Sequence, residues 1–439
     1  MPARLKDLRI WSAPLKSDRL IAHNLIVGSG TILAGVLGVV FQSLVSHRLQ
    51  PADYGAVFAV VTLLTLIGLP ASAFTLLMAR ETSRDRASGR QAPSAALLGG
   101  GNRVLLGSGA ALAAVLIVLS PLMGRFLNVP AEFLLAAAAG IPFGLALPLM
   151  LGEFQGEQRF LAFSILSVGQ ASLKLVGAVT LGSIWGSIGI IAGISLASAV
   201  MYVVAVRLLR RKLSIKPRLS WWRPAASYLT VVMPSTLALA VLLTADVLLV
   251  KHFFSTQVAG EFAAIAALGR AIFWGASGVA TVLFPKVTFR ATRGGSGIRI
   301  VGASLVLVVL GGLAGLAVLS FSSHWLLVGF AGQTYDAGAA YLPWYGIGMI
   351  LLGANAILIA THQTLGKPGF LAVLLPLTLL EPALLFAFHQ SLTQVVLVVD
   401  VTMALVAVGL GALYVVQQRM APVLAATPEL APSSIAQAG

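Results

Sequence analysis

Long apolar runs, each ended by a short polar stretch, recur along the whole chain. A helix rising 1.5 Å per residue needs about 20 apolar residues to cross a bilayer. The runs predict twelve such helices, near residues 25–46, 54–79, 104–123, 132–152, 160–181, 185–206, 228–250, 260–284, 300–320, 338–361, 369–389 and 393–418. Only Gly182 to Ile184 separates the fifth from the sixth. The first run exceeds a signal-peptide core and is followed by no small-residue cleavage pattern, so it is expected to be retained.

The polar stretches give these helices a direction. With the N-terminus in the cytoplasm, 24 of the 29 Lys and Arg fall on the cytoplasmic side. Only Arg48, Arg125 and Lys251 fall outside, and Lys174 and Arg270 lie within spans. That asymmetry is the positive-inside rule, and a missed or extra helix would scramble it. The outer loops are short; the longest, Phe321 to Ala337, is too small to be a domain. The expected organisation is a cytoplasmic segment (1–24), a first lobe (25–206), a basic cytoplasmic linker (207–227), a second lobe (228–418) and a disordered cytoplasmic tail (419–439).

The two halves echo each other. His47 stands eight residues before Gly55, and His252 eight before Gly260, an offset of 205 in both cases. Gly156-Glu157-Gln158-Arg159-Phe160-Leu161-Ala162 pairs with Gly366-Lys367-Pro368-Gly369-Phe370-Leu371-Ala372 at an offset of 210. Each match falls at equivalent turns of the two halves. Six spans return the chain to its starting side, so both halves have one orientation. The fold class expected is an all-α integral membrane protein of about twelve transmembrane helices, in two six-helix lobes related by a parallel pseudo-two-fold repeat. Transporters of this build place their path between the halves and rock one against the other. Pro142 and Pro148 in the fourth span, and Pro376 and Pro382 in the eleventh, are candidate hinges.

Composition narrows the class. Of 439 residues, 58% are hydrophobic and 10% charged, against roughly 25% charged in a soluble domain. The mean hydropathy is +0.95, which leaves too few polar side chains to cover a soluble surface. The net charge of +15 sits in loops between apolar runs, so it reads as topology and not as a nucleic-acid surface. The chain has no Cys, hence no disulfide, thiolate nucleophile or Cys-ligated metal. Gly28-Ser29-Gly30 and Gly99-Gly100-Gly101 follow no strand and lead into no Gly-Lys-Ser/Thr, so neither is a nucleotide loop. No metal-ligand cluster, catalytic triad or cofactor motif is present in the sequence, so any energy must come from an ion or substrate gradient or from product removal.

Several segments resemble a known family. Leu49-Gln50-Pro51-Ala52-Asp53-Tyr54-Gly55 after the first span is similar to the signature of bacterial polysaccharide and O-antigen flippases. These belong to the multidrug/oligosaccharidyl-lipid/polysaccharide exporter superfamily. Thr244-Ala245-Asp246-Val247-Leu248-Leu249-Val250, Ala259-Gly260-Glu261-Phe262 and Val282-Leu283-Phe284-Pro285-Lys286 resemble it further, over about residues 20 to 418. In the family the second-half Gly is usually followed by Tyr; here Glu261 intervenes before Phe262. The resemblance implies a bacterial inner-membrane protein moving a polyprenyl-pyrophosphate-linked oligosaccharide from the cytoplasmic to the outer leaflet. Its partners would be that lipid-linked substrate, membrane lipids and other polysaccharide assembly proteins.

Ionisable residues within spans cost roughly 2.5–3.5 kcal/mol on insertion scales, so each asks for a reason. Arg270 lies ten residues into the eighth span, about 15 Å deep. Its guanidinium suits bidentate contact with a pyrophosphate, or a buried pair with Asp246 on the seventh span; the sequence leaves both open. Lys174 in the fifth span is a second candidate for the anionic headgroup, or pairs with a carboxylate, or reaches outward. Glu381 and Asp400 are candidate ion carriers, since a carboxylate away from water can take up and release a proton. Arg80 and Arg84 are placed to gather anionic headgroups at the cytoplasmic mouth, although topology also explains them. Gln42, Gln170, Asn355 and Gln363 are expected to hydrogen-bond between helices. His47 and His252 follow from the repeat, without a metal. Arg48 and Lys251 beside them are expected to anchor in lipid headgroups.

Three functions follow in order of fit: a lipid-linked saccharide flippase, a proton- or sodium-coupled multidrug or small-molecule antiporter of the same superfamily, and an integral membrane polysaccharide polymerase or ligase. The last needs catalytic groups on substantial outer loops, which this chain lacks.

Overall fold

The computed structural model describes residues 17–89, 92–215, 222–291, 297–365 and 368–426, with side chains over 26–89, 93–215, 226–275, 301–364 and 368–418. The segment before residue 17, part of the basic linker, the tail after residue 426 and the side chains of Val282 to Lys286 lie outside these ranges. Among the described residues the chain is helical throughout, with no strand.

The helices are α1 (Ser17–Arg48), α2 (Pro51–Gly68), α3 (Ser72–Ala87), α4 (Ala92–Leu127), α5 (Ala131–Ala138), α6 (Ile141–Gly156), α7 (Phe160–Leu213), α8 (Trp222–Phe253), α9 (Thr256–Ala291), α10 (Gly297–Phe321), α11 (Ser323–Ala331), α12 (Leu342–Leu365), α13 (Leu371–Ala387) and α14 (Leu392–Ala426). Single turns of tighter helix join α2 to α3 at Leu69–Ala71 and enter α13 at Pro368–Phe370; a longer one, Gln333–Tyr341, leads into α12. Pro70 occupies the first of these turns, where a ring without an N–H ends a run of α-helical hydrogen bonds. Pro142 stands in the first turn of α6, and Pro148, Pro376 and Pro382 stand inside helices.

Eleven segments among the described residues are long and apolar enough to cross a membrane. One of them, α7, has 54 residues, about 80 Å of straight helix and far more than a bilayer needs. It is instead a hairpin that turns at Gly186, whose φ of 60° and ψ of −140° suit glycine. The two limbs run antiparallel, with Gln170 donating to Ser198 Oγ at 3.3 Å. Gly177 and Gly193 meet so closely that a Cβ on Gly177 would lie 2.7 Å from the Cα of Gly193. Counting both limbs gives the twelve crossings that the hydropathy pattern predicts; the turn falls at Gly186 and not at Gly182 to Ile184.

The chain forms two compact units. Unit 1 holds Met1–Val45, Phe74–Pro121 and Pro130–Trp222. Unit 2 holds Ser46–Ala73, Leu122–Val129 and Arg223–Gly439, and so takes in two pieces of the first half.

In unit 1, α6 and α5 pack on the α7 hairpin. The ends of its helices near Thr82, Glu153 and Lys212 are joined by a charged cluster. Glu153 is fully buried; it accepts from Lys212 Nζ and from Thr82 Oγ1, each at 2.6 Å. The same Lys212 reaches Glu157 Oε1 at 2.6 Å, and Arg86 donates to the Glu157 carbonyl. Asp85 caps α4 by accepting from the Ser94 N–H at 2.6 Å.

In unit 2, α9 packs on α2, α10 and α12, and α14 packs on α12 and α13. Buried polar side chains join these helices. Asn355 Nδ2 donates to the Met403 carbonyl at 3.0 Å, and Gln363 Nε2 to Ser235 Oγ at 2.8 Å. With Gln170 these act as the helix–helix links expected of them. The turn after α4 closes the end of α8: Asn128, in the left-handed region at φ 48°, donates to the carbonyls of Lys251 and His252 at 3.3 and 3.4 Å. His252 is held here by structure, stacked on Phe126 at 4.0 Å and hydrogen-bonded to its carbonyl.

Candidate functional site

The centre of unit 2 is a buried charged group drawn from several helices. Asp246 on α8 and Arg270 on α9 are 1% and 8% exposed. Arg270 Nη2 donates to Asp246 Oδ1 at 3.0 Å, and Tyr345 Oη on α12 donates to Asp246 Oδ2 at 2.6 Å. Both oxygens of the carboxylate are thereby engaged. The guanidinium also lies over the Phe58 ring of α2, with Cζ 5.6 Å from its centroid. Its Nε has no hydrogen-bond partner among the described residues. Of the two readings open for Arg270, the structure holds the internal pair.

Glu381 on α13 is fully buried, yet neither carboxyl oxygen has a hydrogen-bond partner among the described residues. It lies within electrostatic reach of both Asp246 and Arg270. Two acids therefore share one guanidinium, leaving this core one negative charge in excess unless a proton or small cation balances it. Thr378, one helical turn away on α13, is also buried with an unpartnered hydroxyl. Asp400 on α14 is only half-buried. Its Oδ1 faces Gly348 of α12, where an added Cβ would meet it at 2.6 Å.

Lys174 belongs to unit 1, on the first limb of α7. Its Nζ lies 5.2 Å from the centroid of Phe41, and no carboxylate pairs with it among the described residues. Arg80 and Arg84 on α3 are exposed and flank Glu81 at 3.9 and 4.0 Å, at the edge of ion-pair distance.

Lys251 departs from expectation. A headgroup anchor must be exposed, but Lys251 is 2% exposed, buried within unit 2. Its Nζ has no hydrogen-bond partner among the described residues, and Asp53 is within electrostatic reach. The apolar flanks of Lys251 gave no sign of this. Tyr345 and the Glu153–Lys212 cluster were also missed. A tyrosine in an apolar span carries no signal by itself, and Glu153 falls one residue beyond the predicted fourth span.

No family profile and no curated protein matches the chain. Solved structures do. An inward-facing multidrug-resistance MATE family transporter of the MOP superfamily matches with a TM-score of 0.72 at 12% identity, over 92% of this chain and all of that one. The lipid II flippase MurJ, in an inward closed conformation, matches with a TM-score of 0.67 at 14% identity, over 90% of this chain and 87% of that one. A MOP superfamily transporter from Pyrococcus furiosus matches with a TM-score of 0.64 at 13% identity, over 91% and 95%. The chain has the fold of these proteins, two transporters and a flippase.

Proposed function

We propose that this chain is a flippase carrying a polyprenyl-pyrophosphate-linked oligosaccharide from the cytoplasmic to the outer leaflet of a bacterial inner membrane, for surface polysaccharide synthesis. The observation that carries this reading beyond the fold is Lys174: an ammonium within a span, resting on Phe41 and free of any carboxylate among the described residues. An uncompensated cation at membrane depth suits an anionic ligand. The signature-like segments around Gly55 and Gly260 point to the same family. In this reading lobes 25–206 and 228–418 alternate, both termini are cytoplasmic, and Arg80 and Arg84 draw the headgroup to the inner face. Arg270 and Asp246 contribute to the cavity through their pair, and Glu381, with Asp400, couples the cycle to an ion. The product passes to other polysaccharide assembly proteins.

The excess acid at Glu381 equally favours a second reading, an ion-coupled small-molecule antiporter. Vesicles containing the purified protein separate the two. Movement of a lipid-linked oligosaccharide to the opposite leaflet, read by its exposure to an added glycosidase, is expected of the flippase. Efflux of a cationic dye driven by a proton or sodium gradient, with no such exposure, supports the antiporter.

A further inference from the structure

The second limb of α7 carries one exposed stripe. Leu196, Val200 and Val203 are exposed at a spacing of four and then three, which keeps them on one helix face. The same spacing continues to Arg207 and Arg210, with Arg211 one turn beyond Arg207, and all three arginines are exposed. In a chain that spans a bilayer, the apolar part of such a stripe faces lipid. Arg207 comes 21 residues after the turn of the hairpin at Gly186. That is about 30 Å of helix, the thickness of the hydrocarbon core. The stripe thus changes from apolar to basic at the depth where acyl chains give way to phosphates.

A second helix of unit 1 adds to the basic end. Here α4 runs beside α7: Tyr202 Oη donates to Asn102 Oδ1 at 2.9 Å, and a Cβ on Gly99 would lie 3.2 Å from the Leu213 carbonyl oxygen. Arg103, next to Asn102, is exposed as well. No carboxylate pairs with any of these four arginines among the described residues. The acids at this end are engaged elsewhere, Glu153 by Lys212 and Thr82, and Glu157 by Lys212 and Arg159. Topology asks only for basic residues in the loops. It does not ask that they extend a lipid-facing stripe, or that an arginine of another helix join them. A guanidinium also holds two phosphate oxygens at once through parallel N–H groups.

We propose that the α4–α7 face at Arg103, Arg207, Arg210 and Arg211 binds an anionic phospholipid, with its phosphate among the guanidinium groups and an acyl chain along Val203, Val200 and Leu196. The site stands whatever the chain transports.

Native mass spectrometry of the full chain in detergent tests this, with added phosphatidylglycerol or phosphatidylcholine of the same acyl chains. The parent should retain phosphatidylglycerol at roughly tenfold lower concentration than phosphatidylcholine, as expected of several arginines at one anionic headgroup. Arg207→Gln should weaken that retention about fivefold, the scale of one arginine near an anionic surface. Arg207→Gln together with Arg103→Gln should weaken it further. Arg125→Gln makes the same charge change at the opposite end of α4 and should leave retention as in the parent. Equal retention of the two lipids by the parent, or equal loss in Arg207→Gln and Arg125→Gln, would overturn the site. Retention of farnesyl pyrophosphate in place of phosphatidylglycerol would overturn it too, and would give these arginines to a carried lipid instead.

Discussion

Arg270 Nη2 and Asp246 Oδ1 meet at 3.0 Å in the buried centre of unit 2, and Tyr345 completes the carboxylate's hydrogen bonds. Removing one partner of a buried pair leaves an uncompensated charge, at a cost of about 3–5 kcal/mol. Arg270→Gln and Asp246→Asn should each lower the thermal unfolding midpoint sharply, and the double variant should recover most of it. If Arg270→Gln instead unfolds like the parent and only transport is lost, Arg270 serves the ligand and not the pair.

Glu381 makes no comparable contact. With both oxygens unpartnered among the described residues, Glu381→Gln removes a buried ionisable carboxyl and breaks no hydrogen bond of the described core. The variant should be as stable as the parent or more so, while its transport should cease to respond to an imposed proton or sodium gradient. Gradient-driven transport at the parental rate would exclude Glu381 from coupling.

At one end of unit 1, Lys212 joins Glu153 and Glu157. Lys212→Ala leaves Glu153 buried with only Thr82 to satisfy it, a loss of roughly 2–3 kcal/mol. Glu153→Gln in that background should restore part of the stability, because an amide is cheaper to bury than an unpaired carboxylate. Thermal unfolding of the three proteins in detergent checks the order.

Lys174 carries the proposal for anionic substrate. Lys174→Arg keeps charge and ring contact and should retain much of the transport, whereas Lys174→Met should abolish it with little loss of stability, since an exchange of cation–π for apolar contact is worth only about 1 kcal/mol. Equal transport by the two variants would argue for a packing role.

The fold was largely legible because bilayer crossing imposes long apolar runs, and the alternation of charge between them checks their number. The repeat was legible through His47, Gly55, His252 and Gly260, although only the structure reveals that the two glycines touch. The Asp246–Arg270 pair was foreseeable because intramembrane charges are few and seek each other. Their third partner was not, since Tyr345 has nothing in its sequence neighbourhood to set it apart from an interfacial tyrosine. Glu381 and Asp400 looked alike, but burial separates them: the first is fully enclosed and the second half-open beside Gly348. Lys251 misled because its place at a helix end suggests lipid headgroups, while the neighbouring turn at Asn128 and the packing of unit 2 enclose it. Such enclosure depends on segments more than a hundred residues away, beyond any local pattern.

The most direct test of the central claim is mass spectrometry of lipid extracts from cells depleted of this protein. The flippase account predicts accumulation of one polyprenyl-pyrophosphate-linked oligosaccharide, reversed by the wild-type chain and not by Lys174→Met. Unchanged lipid-linked saccharides together with unchanged surface polysaccharide would contradict it and favour the ion-coupled antiporter.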